Sequence, residues 1–488
     1  MAERCICPAE VAPRELMRHF EAICAIPHGT GNEQALGRHI LALAEQNDLA
    51  AQQDAAGNIL VRVPAAAGCE DVPPLLLQGH MDMVCVKEED VALDMDKEPV
   101  RLIREGNILR ADRTSLGADN AVGLCHMMAL MEPHDFPHPP LELLFTVEEE
   151  SGLVGIQQFD FGCIQARRAI NMDCGDPDVL VIGAAGGEKF RLSRSCTVVE
   201  RSDPRLTVTI WGLLGGHAGL EAGKNRGSAL ELGGRLLDAL CRLGDVRLSR
   251  LEMSGSRRNI PDNLCLSVLV PRELQAKADD VVAELNQIFA GELAQTDPGY
   301  QLEKSWDQGT QGAAAADTRA LADLMLLILY DVQRRHAAHP AWIQAAALLS
   351  WTDYREGLWE GEFSLRYNRE EYHSAMIRRL EAICRLTDVT IHPANDATPP
   401  WPAAEDSPLR DLCAAVFRRL NGRDMVQEIE NGSVEQSIMV REVPGMDCVG
   451  FAPKSRGAHT TAEHLYLDTM QPVWDYFRAV LRELCQKT

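Results

Sequence analysis

Four sets of metal-type side chains in this chain follow four expected strand ends: His80-Met-Asp82 after Leu-Leu-Gln-Gly, Asp119 in Leu-Gly-Ala-Asp-Asn-Ala-Val-Gly, Glu148-Glu149-Glu150 after Phe-Thr-Val, and Asp173 after Asn-Met. Hard or borderline divalent ions take imidazole and carboxylate ligands, and a co-catalytic pair needs one carboxylate to bridge both. The series points to a two-metal hydrolase and requires a fold that gathers several strand ends in one place.

The surrounding periodicity supplies such a fold. Apolar residues recur at three- and four-residue spacing over Pro13–Ile26 and Glu33–Leu49, which predicts helices. Asn58–Val63, Pro74–Gln78, Leu141–Val147 and Arg168–Met172 read as strands, with a helix over Asp119–Glu132, an alternation typical of a doubly wound sheet. Open sheets of this kind place ligands beyond the carboxyl ends of their strands, where His80, Asp82, Glu149, Glu150 and Asp173 fall. Around Gly183–Gly187 the pattern changes to β-rich alternation, as in Arg205–Trp211 and Leu264–Val270. A second boundary is expected in the proline-rich stretch Asn395–Ala404, followed by helices near Pro408–Leu420 and Asp468–Cys485. The expected organisation is one discontinuous domain, 1–187 and 396–488, interrupted by an inserted domain, 188–395, too large for a loop.

Composition narrows the partners. The 488 residues include 72 acidic and 48 basic side chains, and a formal charge of -24 repels nucleic acid and anionic membrane, leaving small molecules. The opening Met-Ala-Glu-Arg-Cys-Ile-Cys has no basic region followed by an apolar one, so no signal peptide or anchor is expected and the location is cytoplasmic. The 15 cysteines are odd in number and scattered, Cys5-Ile-Cys7 being the only close pair, which suits free thiols in a reducing compartment.

Each motif also has a plainer explanation. His80-Met-Asp82 could be a structural histidine, but after an apolar strand the aspartate is expected to orient the ring through its remote nitrogen. Asp119 could cap the helix it opens, a role compatible with bridging. His126 lies about two helical turns further on and is expected to pack, not to ligate. Three adjacent carboxylates at a strand end repel one another, so a nearby cation would offset their repulsion. Glu149 and Glu150 face opposite sides of a regular strand, so both reach metal only if the strand stops at Val147 or Glu148. One then ligates while the other takes a proton from the attacking water and delivers it to the leaving amine.

Together, His80-Met-Asp82, Gly117-Ala-Asp119-Asn, Glu149-Glu150 and Asp173 resemble the M20 family of metallopeptidases, and Gln78–Lys87 with Gly215-Gly-His217-Ala-Gly is similar to its aminoacyl-histidine dipeptidase branch, called peptidase D or carnosinase-like. The resemblance implies an α/β fold: a zinc-peptidase-like catalytic domain with a mixed, largely parallel sheet flanked by helices, interrupted by an inserted α+β lid domain. It implies two Zn2+ per chain, with Co2+ or Mn2+ able to substitute. His80 and Asp173 would hold one ion, Glu150 and His459 the other, and Asp119 would bridge. Asp82 would orient His80, Glu149 would be the general base, and His217 would stabilise the oxyanion. Asn259 and Arg366 resemble substrate-binding positions. His459 is preferred to His464 because the family pattern places a glutamate, here Glu463, four residues after the ligand.

Two segments depart from that branch. A His-Ala-Gly-Leu-Glu segment is replaced by Asn431-Gly-Ser-Val-Glu435, and Glu221-Ala222 stands where aspartate-isoleucine is usual. The expected activity is therefore hydrolysis of dipeptides, Xaa-His-type or broader, by water activated between two zinc ions. An M20-type deacylase acting on N-acyl amino acids or small amides is the alternative, and a non-catalytic binding protein ranks last. The expected partner is a small peptide substrate, with a homodimer open and no nucleic acid or membrane.

Overall fold

The computed structural model describes residues 3–4, 11–173, 176–219, 221–255, 257, 259–393 and 397–486, so Cys5 and Cys7 and the linker residues Asn395 and Asp396 lie outside the described residues. The chain divides into two compact units, one of residues 1–184, 401–430 and 434–488, the other of 185–400 and 431–433. Main-chain pairing explains where they part. Ala184 pairs with Trp401 in the first unit, whereas Gly187 pairs with Thr398 in the second. Asn431–Ser433, which the sequence places with the first unit, belongs to the second, where the Ser433 hydroxyl accepts a hydrogen bond from Arg366 at 3.0 Å.

The first unit is built on an eight-stranded mixed sheet. At its centre Leu75–His80 lies between Leu141–Thr146 and Arg168–Asn171, parallel to both, and Arg168–Asn171 is parallel to Asp447–Gly450. Leu75–His80 and Leu141–Thr146 are buried along their whole length, because a parallel sheet is covered on both faces and its strands read as continuous apolar runs. Helix Arg14–Cys24 buries Leu16, Met17, Phe20, Ile23 and Cys24, and helix Met470–Leu484 buries Val473, Trp474, Phe477, Val480 and Leu481. Both follow the helical period.

His126, on helix Ala118–Leu130, is fully buried edge-on to Trp474 and Phe477, with ring centroids 5.5 and 6.3 Å away. Its Nδ1–H donates to the Val122 carbonyl at 2.6 Å and its Nε2 is buried without a hydrogen-bond partner, so it packs as expected. Burial pushes its pKa down to about 4 from 6.5. The unfolded chain takes up this proton below pH 6.5 and the folded chain only near 4, so stability falls as pH drops through that window. We predict a loss of about 3 kcal/mol between pH 7 and 4 from this residue, read by urea unfolding; His126→Phe should flatten that part of the slope.

The second unit is a nine-stranded sheet whose strand pairs are antiparallel, covered by helices that include Ala229–Cys241 and Gln275–Leu293. Strand Leu358–Tyr367 alternates strictly: Trp359, Phe363, Leu365 and Tyr367 enter the core. That two-residue period puts Ser364 and Arg366 on the opposite face. Among the described residues no helix is long and apolar enough to cross a membrane.

Candidate metal centre

The three central parallel strands of the first unit end side by side. His80 is opposite Thr146 and Gln78 opposite Asn171, so His80, the Glu148–Glu150 turn and Asp173 leave adjacent carboxyl ends. The Leu141–Thr146 strand stops one residue before the earlier of the two expected ends, and Glu148 adopts φ 50°. That left-handed residue turns the chain so that Glu149 and Glu150 no longer alternate across a sheet.

One oxygen of Asp119, Oδ1, lies 3.0 Å from Nε2 of His80, and the other, Oδ2, lies 3.4 Å from Nε2 of His459. Glu150 Oε1 is 2.7 Å from His459 Nε2, and Asp173 Oδ1 is 3.5 Å from His80 Nε2. Ligand atoms of His80, Asp119 and Glu150 all lie within 4.8 Å of one another. Asp119 thus turns one carboxylate oxygen toward each histidine. The N-cap position of its helix is taken by Gly117, and Asp119 itself has non-helical φ/ψ of -82° and 104°, which frees its side chain for the cluster. His464, the competitor of His459, donates from Nδ1 to the Ala462 carbonyl at 2.8 Å and stands against the Tyr466 ring.

Buried acceptors pin the segments that carry Asp119, Glu149 with Glu150, and Asp173. Asp82 accepts the main-chain N–H of Glu149 at 3.0 Å and of Glu150 at 3.2 Å, and the Thr30 hydroxyl at 2.9 Å. Its carboxylate is 3.4 Å from Nδ1 of His80, but the nearer acceptor for that nitrogen is the Asp82 carbonyl at 2.9 Å. Asp82 therefore holds the main chain of both Glu149 and Glu150 as well as lying beside the His80 ring. Glu463 accepts the N–H of Leu116, Gly117 and Asp119, at 2.7, 2.9 and 3.3 Å. Asn171 Oδ1 accepts the N–H of Asp173 at 2.9 Å, and Asn120 donates to the Asp173 carboxylate.

The electrostatics show a cluster short of positive charge. Burial raises Asp173 to about 6, with the Asp119 carboxylate adding to the effect. Burial also pushes Glu149 well above the usual carboxylate range. Asp119 goes the other way: burial opposes its ionisation, but the hydrogen bonds from His459 and His80 prevail and hold it low. The bonds to Asp119 and Glu150 raise His459 to about 10. Burial works against protonated His80, yet the surrounding carboxylates, Asp173 foremost, lift it well above 6.5. Raised proton affinity at both imidazoles marks a concentration of negative charge that a divalent ion would offset. The donor set, nitrogen and carboxylate oxygen, fits zinc and its neighbours.

The remaining candidates lie in the second unit. His217 and Asn259 face each other across an antiparallel bridge, and Gly215 and Gly216, at φ 57° and 101°, make the turn into it. The N–H of Gly219 donates to His217 Nδ1 at 3.3 Å, which puts the proton of a neutral ring on Nε2. A small cavity lined by Ala218, Ile260, Ser364 and Arg366 brings the neighbours of His217 and Asn259 to the polar face of the Arg366 strand.

Sequence reasoning assigned no role to Glu435, used Glu463 only as a marker for His459, and did not include Thr30 or Glu33 in the site. Glu33 accepts the N–H of Glu148 at 3.1 Å. Glu435 is 2% exposed, and burial raises it to about 8. The available signal was Gln78, a polar residue inside the run Leu-Leu-Leu-Gln that needs a buried partner.

Comparison with known proteins bears on the whole chain. Residues 76–483 match Peptidase family M20/M25/M40. The chain is 26% identical over 482 residues to the cytosol non-specific dipeptidase of Escherichia coli K12, covering 98% of this chain and 99% of that protein. It superposes on the crystal structure of aminoacylhistidine dipeptidase from Vibrio alginolyticus with a TM-score of 0.89, at 25% identity and 99% coverage of both chains. An M20 family metallo-carboxypeptidase from Sulfolobus solfataricus shares the fold, with a TM-score of 0.52 at 14% identity, over 96% of this chain and 99% of that one.

Proposed function

The chain belongs to Peptidase family M20/M25/M40, and from that premise we propose that it is a metal-dependent dipeptidase. The observation that carries this reading is Asp119, with one oxygen toward His80 and the other toward His459. The full-length likeness to two dipeptidases supports the substrate class.

In this reading His80 and Asp173 would hold one Zn2+, Glu150 and His459 would hold a second, and Asp119 would be available to both; Co2+ or Mn2+ could substitute. When bound, the ions supply Lewis acidity toward the peptide carbonyl and make water a better acid. Glu149 takes a proton from the attacking water and passes it to the leaving amine. Burial raises its proton affinity above that of an ordinary carboxylate, the direction that favours taking a proton from water. Asp82 keeps Glu149 in place through the main-chain bond, so the base cannot swing away. His217 offers Nε2–H to the developing oxyanion, and Asn259 and Arg366 bind the ends of the substrate. Within this reading the second unit is a lid. The 12 cysteines among the described residues are all free, which suits a cytoplasmic location.

Zinc-replete protein is expected to hydrolyse unblocked dipeptides, Xaa-His among them, and to leave N-acyl amino acids largely intact. Turnover of the acylated set alone would replace the reading with a deacylase. His217→Ala is expected to lower kcat by about two to three powers of ten, with metal content and Tm near wild type. A Tm drop large enough to explain the lost activity would return His217 to a plain turn.

A further inference from the structure

Helix Glu435–Glu442 packs Ile438 and Met439 on the face of the first unit's sheet formed by Leu60, Leu76, Leu144 and Ala169. Its first residue breaks that apolar surface with a carboxylate. Glu435 Oε2 accepts hydrogen bonds from the Thr146 hydroxyl, at 2.8 Å, and from Gln78 Nε2. Gln78 Oε1 in turn accepts from Asn171 Nδ2 at 2.8 Å, and Asn171 Oδ1 accepts the N–H of Asp173. Gln78, Thr146 and Asn171 are each 1% exposed or less. They sit on the three strands whose ends carry His80, Glu149 with Glu150, and Asp173.

We propose that Glu435 is a positioning residue of the metal centre, a buried strut that locks these three strand ends together and so fixes the spacing of the ligands and the base. The inference rests on the two-metal reading above. A buried carboxyl group costs free energy wherever its polar atoms go unsatisfied, and among the described residues Glu435 Oε1 has no hydrogen-bond partner. An apolar side chain would pack at this position, as Ile438 and Met439 do on the same helix. Two observations favour function over packing. The strut touches all three of these strands, and its far end is the main-chain N–H of Asp173 itself. Residues that hold metal ligands in place typically contribute about 10–100-fold to metal affinity or activity.

The test is competition between the protein and a chromogenic zinc chelator, alongside dipeptide kinetics. Glu435→Ala is expected to weaken at least one zinc site by about 10–100-fold and to lower kcat with little change in KM. Glu435→Gln, whose amide oxygen can still accept both bonds, should restore affinity to near wild type. Gln78→Met, close in volume, and Thr146→Val should each weaken zinc binding, which keeps the test valid if Glu435→Ala does not fold. Wild-type zinc affinity in a folded Glu435→Ala, or in both Gln78→Met and Thr146→Val, would overturn the strut. A wild-type chain that binds no zinc would overturn the two-metal reading, and the strut with it.

Discussion

Glu149→Gln should abolish nearly all dipeptide turnover while leaving the protein loaded with metal. The substitution keeps the shape of the side chain and removes only its ability to take a proton. Positioned general acid–base groups contribute about 10²–10⁴-fold, so kcat is expected to fall by at least two powers of ten. The fold has no reason to change: what holds this turn is the main-chain N–H of residue 149 bonded to Asp82, and a glutamine keeps it. Metal content should hold as well, because in the proposed assignment Glu149 is not a ligand. Steady-state rates with an unblocked dipeptide, paired with metal analysis of the same sample, check both halves. A variant within a few-fold of wild type would move the base to another residue, and a variant that loses metal would make Glu149 a ligand.

Asp119→Ala should have a comparable effect by a different route. One carboxylate faces two histidines 379 positions apart in the chain, His80 and His459. Its removal deprives both proposed ions of a ligand and leaves both imidazoles without their shared partner. A catalytic ion is worth several kcal/mol of charge stabilisation in the transition state, so activity should drop by roughly 10³-fold or more. Metal analysis should fall from two ions toward one per chain. Retention of two tightly held ions would remove Asp119 from the bridge.

Much of this site was legible because it is written in consecutive residues at strand ends. The runs Pro74–Gln78 and Leu141–Val147 are apolar and bounded by turn residues, and the observed strands, Leu75–His80 and Leu141–Thr146, lie within two residues of them. Local sequence could not say how Glu148–Glu150 turn, because the left-handed backbone at Glu148 falls on a residue with no special liking for it. Nor could it show what Asp82 does beyond its neighbour His80, since its bonds to Glu149 and Glu150 span 67 and 68 positions. Glu435 is the extreme case: its partner Gln78 is 357 positions away, and nothing near either residue announces the other. A buried polar side chain in an apolar strand signals that a partner exists but not which one.

The sheet that carries the proposed ligands also sets a timetable for making the protein. Arg168–Asn171 takes Asp447–Gly450 as its neighbour, and His459 comes later still, so residues 185–400 must be synthesised before the sheet can be finished. At about 5–20 residues per second, that wait is on the order of ten to forty seconds on the ribosome. Throughout it the nascent chain carries His80, Asp119, Glu150 and Asp173 but neither His459 nor the strand that covers the open edge. A half-made chain thus offers a partial, loosely organised set of ligands to whatever ion is at hand. Loading of the proposed site can be completed only once Asp447–Gly450 and His459 have been made, so the cell's supply of the right metal matters most after that point.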